Sequence, residues 1–225
     1  ENRAMMQRYR KLFSRSNMVS LILPSLAISP VSKNLKKKEI KNEKVGLFLC
    51  GWQMNKNFML IPEIAAELKA NGVSFKFILT APLDHSAIHR SFIKKLEEYN
   101  VEKMVSMVGP VSNSELESLY NEVDFVFLLS KLESFSNNII ESWHYNKVLL
   151  VSDEPWARAI CTNSAIYVNR DSPLDIATKI CELMGSKHIE EEIKQLARVE
   201  YSKYPNIDDR FRSEIQFLEK VHSYV

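Results

Sequence analysis

The sequence predicts an α/β fold, a Rossmann-like parallel sheet with helices on both faces. Three observations carry that expectation. Short, wholly apolar runs recur from Val45 onward, segments with apolar residues at helical spacing lie between them, and turn signals sit at the junctions. Strands without an apolar/polar alternation are strands buried on both faces, as parallel strands are.

The elements follow in order. Val45 to Cys50 reads as the first buried strand, and Phe58 to Ala70 as a helix ended by Asn71-Gly72. Val73 to Leu79 is the next strand, Ser86 to Tyr99 a helix and Met104 to Val108 a strand, with a turn at Gly109-Pro110. Ser112 and Glu115 form a capping-box pattern that opens a helix through Glu122. Phe125 to Leu129 is the most apolar strand, and a helix carrying Glu141 follows it. Val148 to Ser152 and Ala165 to Val168 complete the strands. Pro173 to Met184, Glu190 to Ser202 and Asp208 to His222 read as closing helices. Phe75, Phe77, Phe125 and Phe127 alternate within their strands and are expected in the core.

Upstream of Val45 the pattern differs. A short helix (1–13) and a strand at Leu21–Pro24 precede a charged run, 33–44, with six lysines and two glutamates, expected to be a solvated linker. Arg8 to Arg15 followed by Met18 to Ile28 imitates a secretory signal, but Pro24 and its polar neighbours interrupt it. No apolar stretch approaches the roughly 20 residues of a membrane span.

Composition narrows the function classes. The 225 residues are 45% hydrophobic and 26% charged, as in ordinary globular proteins, and the net charge of +2 gives no electrostatic case for nucleic acid. Cys50, Cys161 and Cys181 have neither zinc nor redox spacing and read as small buried hydrophobes in a reducing compartment. His85 and His89 stand four apart with no further ligand in sight, so no metal site is expected; His144 reads as packed.

The chemistry concentrates between Ser130 and Glu141. In an open α/β sheet, ligands bind where strand C-termini meet helix N-termini, and a helix start suits a phosphate. Ser134, Ser136, Asn137 and Asn138 are small polar groups at such a junction, flanked by Glu133 and Glu141. Two alternatives stand beside a ligand role. Glu133 fits a surface acid, and Glu141 fits a capping-box partner if Asn138 caps the helix.

Leu116 to Ile180 resembles the C-terminal domain of the group 1 retaining glycosyltransferases, which have two Rossmann-like domains (the GT-B fold). The residues that carry the resemblance are Leu119-Tyr120, the strand Phe125 to Leu129, Glu133-Ser134-Phe135, Glu141, Ser152-Asp153 and Ala165-Ile166-Tyr167. It holds in order and spacing over about 60 residues, and more loosely over 45–185. The resemblance implies that Glu133 lies by the donor sugar as the catalytic carboxylate. It implies that Glu141 holds the ribose hydroxyls, and that Lys56 binds the donor diphosphate. Ser134, Phe135, Ser136, Asn137 and Asn138 would complete the donor site. No metal or other cofactor is implied beyond the nucleotide diphosphate sugar itself.

The resemblance has gaps. The arginine usual ahead of Lys56 is absent, with Gly51-Trp52-Gln53-Met54 in its place, so half of the diphosphate clamp is missing or comes from elsewhere. Ser136 replaces a glycine. Glu154-Pro155-Trp156-Ala157-Arg158 replaces a Gly-Gly loop, and core packing for Trp156 and a surface ion pair for Arg158 are favoured over a cleft role.

The resemblance divides the chain into a tail of an N-terminal domain plus linker (1–44), a nucleotide-sugar-binding domain (45–204) and a C-terminal helix (205–225). It implies a hexosyltransferase-type enzyme of polysaccharide synthesis, its acceptor a glycan or lipid-linked sugar met through the N-terminal domain. The expected place is the cytoplasm, at the inner face of the membrane if the full-length protein associates peripherally. This chain alone is expected to bind donor and transfer nothing. The rival reading is a non-catalytic flavodoxin-like binding or scaffold module. Its receiver version would need acids at the first strand end, where Cys50-Gly51-Trp52 stands.

Overall fold

The apolar runs make six parallel strands, the central ones buried, and the helical spacings between them make the layers that cover the sheet. The computed structural model describes residue 11 and residues 43–222. Apart from residue 11 the expected helix over 1–13 lies outside the described residues, as do the strand at 21–24 and the charged run up to 42.

The strands are β1 (Lys44–Phe48), β2 (Phe75–Leu79), β3 (Val105–Met107), β4 (Phe125–Leu128), β5 (Val148–Ser152) and β6 (Ile166–Val168). They lie in the order β3-β2-β1-β4-β5-β6, every pair parallel. The chain winds outward from β1 to one edge and then from β4 to the other, so the order reverses between β1 and β4.

The helices are α1 (Ile61–Ala70), α2 (Ala87–Glu98), α3 (Asn113–Glu122), α4 (Asn137–His144), α5 (Pro155–Cys161), α6 (Pro173–Gly185), α7 (Lys187–Tyr201) and α8 (Ile207–His222). The Ser112 box forms as expected, with Glu115 accepting from the Ser112 N–H at 2.9 Å. Gly72 at φ +68° closes α1, and the Val73 N–H is taken by Leu68 O, which is why β2 starts later than its apolar run. Helix α5 was not expected. Pro155 reads as a loop residue, yet it occupies a first-turn position where its missing N–H costs nothing.

The two sheet faces carry separate cores. One gathers Phe48, Phe75, Phe77, Phe125, Phe127 and Leu150 with α1, α2 and α6. The other gathers Leu47, Val126, Leu128, Leu149 and Val151 with α3, α4, α5 and α7. Alternate residues of one strand therefore serve opposite layers, the doubly covered arrangement expected. Phe48 stacks on Phe127 at 4.9 Å and Phe75 on Phe125 at 5.9 Å. Gly46 lies beneath these rings, where a Cβ would collide with Phe127 and Phe75. Helix α8 buries no residue and turns Ile207, Phe211 and Leu218 outward. No described helix is long and apolar enough to cross a membrane.

Candidate functional site

The reversal of strand order opens a crevice at the C-terminal edge of the sheet. β1 and β4 pair only at Gly46↔Phe125 and Leu47↔Val126. Beyond that the strands part, and side chains rather than ladder bonds hold the gap. Asn138, buried in the first turn of α4, donates its Nδ2 to Leu49 O at 3.1 Å across it.

Two loops face each other there. After β1 the chain makes two short 3-10 turns, Met54–Lys56 and Phe58–Leu60, joined by Asn57 at φ 59°. Asparagine tolerates that left-handed conformation, and Lys56 closes the first turn. After β4 the segment from Leu129 to Ser136 leads into α4. Lys56 Nζ bridges the crevice to Glu133 Oε1, with side chains only 20% and 12% exposed. Glu133 is therefore not a solvent-facing surface acid. The two residues are 77 apart in sequence, and only the reversal of strand order brings them together.

Glu141 lies one turn deeper in the same helix. The N-cap of α4 is Ser136, with no side-chain cap, and Asn138 is engaged with Leu49. The capping-box alternative for Glu141 is thereby overturned. Its Oε2 instead accepts a hydrogen bond from Tyr120 Oη of α3 at 2.9 Å. Burial raises the Glu141 pKa, and the Tyr120 bond partly opposes the rise. Tyr120, stacked on Tyr145 at 4.6 Å, has its own pKa pushed up by burial and by Glu141.

This sets a pH-dependent expectation. In the unfolded chain Glu141 ionises near its ordinary 4.5, whereas the fold favours the neutral acid, so above that range ionised Glu141 costs stability. Glu141→Gln keeps an acceptor for Tyr120 and removes that cost. The variant is expected to unfold about 2 °C higher at pH 7. Because wild-type Glu141 is neutral in both states only well below pH 4.5, the gain should shrink as pH falls and vanish there in thermal scans across pH. No gain at pH 7 would contradict a buried, charge-disfavouring site.

The other expected site residues are divided. Ser134 and Asn137 are exposed at the crevice mouth and Ser136 is buried at the helix start. Phe135 turns its ring toward Tyr204 at 5.9 Å, on the α7 side of the sheet. Trp156 is 4% exposed and donates to Lys131 O at 3.2 Å, which ties down the Glu133 loop. Arg158 pairs with Asp153 at 2.7 Å and lies over the Tyr167 ring. The packing and ion-pair roles hold for both.

Residues not singled out by sequence also join the site. Tyr120 was visible only as half of a Leu-Tyr pair. Asn57 donates to Arg170 O at 2.6 Å, and Arg170 Nε donates to Leu129 O at 3.1 Å. Trp52 packs between the β1 and β2 loops, stacked on His89 at 5.4 Å and donating to Pro82 O at 2.9 Å. His89 Nδ1 accepts from the His85 N–H, and His144 Nδ1 bonds Tyr201 Oη at 2.9 Å. Cys161 is buried, while Cys50 and Cys181 are only partly so, and burial lifts the Cys50 thiol to about 12. Among the described residues no group of three or more His, Cys, Asp or Glu could hold a metal ion.

This geometry meets the sequence comparisons directly. The family model for glycosyl transferases group 1 matches residues 30–200, about three quarters of the chain. The chain belongs to the group 1 glycosyltransferases. No curated protein matches it in sequence.

Solved structures agree on the fold of this glycosyltransferase. Sucrose-phosphate synthase from Thermosynechococcus elongatus superposes at TM-score 0.71 with 15% identity, covering 82% of this chain and 47% of that one. HepE from Anabaena, solved with UDP and glucose, gives 0.70 with 14% identity, covering 80% and 49%. The C-terminal domain of a group 1 glycosyltransferase, LpcC from Francisella tularensis, gives 0.60 with 17% identity, covering 73% and 87%. The chain spans about half the length of the first two. It thus has the Rossmann-like architecture of the C-terminal half of a GT-B glycosyltransferase, as the resemblance implied.

Proposed function

We propose that this chain is the donor-binding half of a retaining glycosyltransferase. It takes a nucleotide diphosphate sugar, and the whole protein passes the hexosyl group to an acceptor glycan or lipid-linked sugar. The observation that carries this reading is the Lys56–Glu133 ion pair across the strand-order switch. Without donor the two charges satisfy each other. An arriving diphosphate competes for Lys56, and Glu133 is then released toward the sugar.

Each group has a chemical task in this reading. Lys56 and the N-terminal N–H groups of α4 meet the charge that grows on the departing nucleoside diphosphate. Glu133 offers a carboxylate to the oxocarbenium-like sugar carbon. Glu141 spends Oε2 on Tyr120 and keeps Oε1 for the ribose hydroxyls. The small polar groups of Ser134, Ser136 and Asn137 let a ligand approach closely. Transfer requires the acceptor-binding half, and the whole protein acts in the cytoplasm, at the inner membrane face when its acceptor is lipid-linked.

Calorimetry on the full chain with uridine, guanosine and adenosine diphosphate sugars tests this. HepE and a Staphylococcus aureus TarM variant were each solved with UDP, so the uridine series is the first to measure. One base series is expected to bind. A folded sample that gives no heat with any of them would sink the proposal and favour a scaffold role.

A further inference from the structure

A diphosphate needs more positive charge than Lys56 alone supplies, because Lys56 is already paired with Glu133. Gly51-Trp52-Gln53-Met54 stands where the resemblance implies an arginine, and the Trp52 indole is fully committed. It stacks on His89, meets the Phe58 ring at 5.1 Å and donates its N–H to Pro82 O. Nothing cationic replaces the arginine within the β1 loop between Gly51 and Asn55.

We propose that Arg170, from the loop after β6, is the second cation of the diphosphate subsite. This rests on the donor-binding reading above. The Arg170 loop folds over the end of β5 to reach the switch. Its carbonyl accepts from Asn57, the residue after Lys56, and its Nε donates to Leu129 O, at the start of the loop that carries Glu133. Arg170 thus touches both loops whose charges meet in the crevice.

Its chemistry fits a bound anion. The side chain is 15% exposed, and among the described residues its one carboxylate partner is Asp171, which is 73% exposed and so a well-screened counter-charge. Nε and Nη1 are engaged, which leaves Nη2 without a hydrogen-bond partner among the described residues. A planar guanidinium can hold Leu129 O on one edge and a phosphate oxygen on another in a fixed forked geometry. Arg170 also borders a hollow of about 400 Å³ shared with Asp153, Glu154, Asp171 and Asp175. Those carboxylates disfavour an anion in the hollow itself, whereas Lys56 draws one to the crevice.

Two variants separate charge from bracing. Arg170→Gln retains an N–H for Leu129 O and loses the charge. Arg170→Lys retains the charge and loses the forked geometry. Calorimetry of the full chain with UDP, GDP and ADP, each beside its monophosphate, is the measurement. For the base that binds, Arg170→Gln is expected to weaken the diphosphate about tenfold and the monophosphate far less, with its unfolding temperature near wild type. Arg170→Lys should recover most of the diphosphate preference. Unchanged diphosphate affinity in Arg170→Gln would overturn the proposal, and so would equal losses on both nucleotides in both variants, which mark a brace only. If wild type binds no nucleotide, the donor-binding reading falls and this inference falls with it.

Discussion

Lys56→Ala is expected to weaken binding of a nucleoside diphosphate by about a hundredfold, the largest binding effect of any single change here. Charge-assisted hydrogen bonds to a phosphate contribute roughly 1.5–3 kcal/mol each, and Lys56 is the cation the crevice presents at its centre. The substitution also leaves Glu133, only 12% exposed, facing no cation. That loss should lower stability by about 1–3 kcal/mol. Calorimetry with the diphosphate and thermal unfolding measure the two effects separately. Affinity within twofold of wild type would place the diphosphate somewhere other than this loop.

Glu133→Gln should separate binding from chemistry. In the whole protein it removes the carboxylate beside the reacting sugar carbon, and transfer is expected to fall by at least about a hundredfold. In this chain it releases Lys56 from its partner, so affinity for the nucleoside diphosphate should rise a few-fold instead of falling. Opposite movements of turnover and affinity are the signature of a catalytic carboxylate that competes with the donor for Lys56. A residue that only holds the loop in shape would lower both. Unchanged transfer would exclude Glu133 from the reaction.

Much of the layer architecture is written in local pattern. Runs such as Val148 to Val151 have no polar position and must be covered on both faces, and the structure buries all four together with Ser152. Ser112 and Glu115 announce a helix start because the capping geometry depends on three intervening peptide units and nothing distant. Glu133 and Glu141 stand out at a strand-to-helix junction, but only the resemblance gives them roles and points to Lys56, since two acids in a loop and helix carry little meaning without their surroundings.

What stayed hidden is long-range. Lys56 meets Glu133 across 77 positions, Asn57 meets Arg170 across 113 and Tyr120 meets Glu141 across 21. No periodicity records such pairs, because the order of strands in the sheet sets them. The cap attributed to Asn138 failed for the same reason: Leu49 O, 89 residues away, claims its amide. Helix α5 was hidden differently, by a proline whose meaning depends on whether it opens a helix or interrupts one.

The central claim is that the donor diphosphate sits at the β1/β4 switch, between the Lys56 and Glu133 loops. Amide NMR shift mapping of the full chain during titration with the tightest-binding nucleoside diphosphate tests it most directly. The account predicts the largest shifts at 51–57, 129–141 and around Arg170, with the remaining edge of the sheet quiet. Shifts centred on the separate hollow of about 360 Å³ formed by His85, His89, Arg90 and Glu97, with Lys56 and Glu133 unmoved, would contradict it.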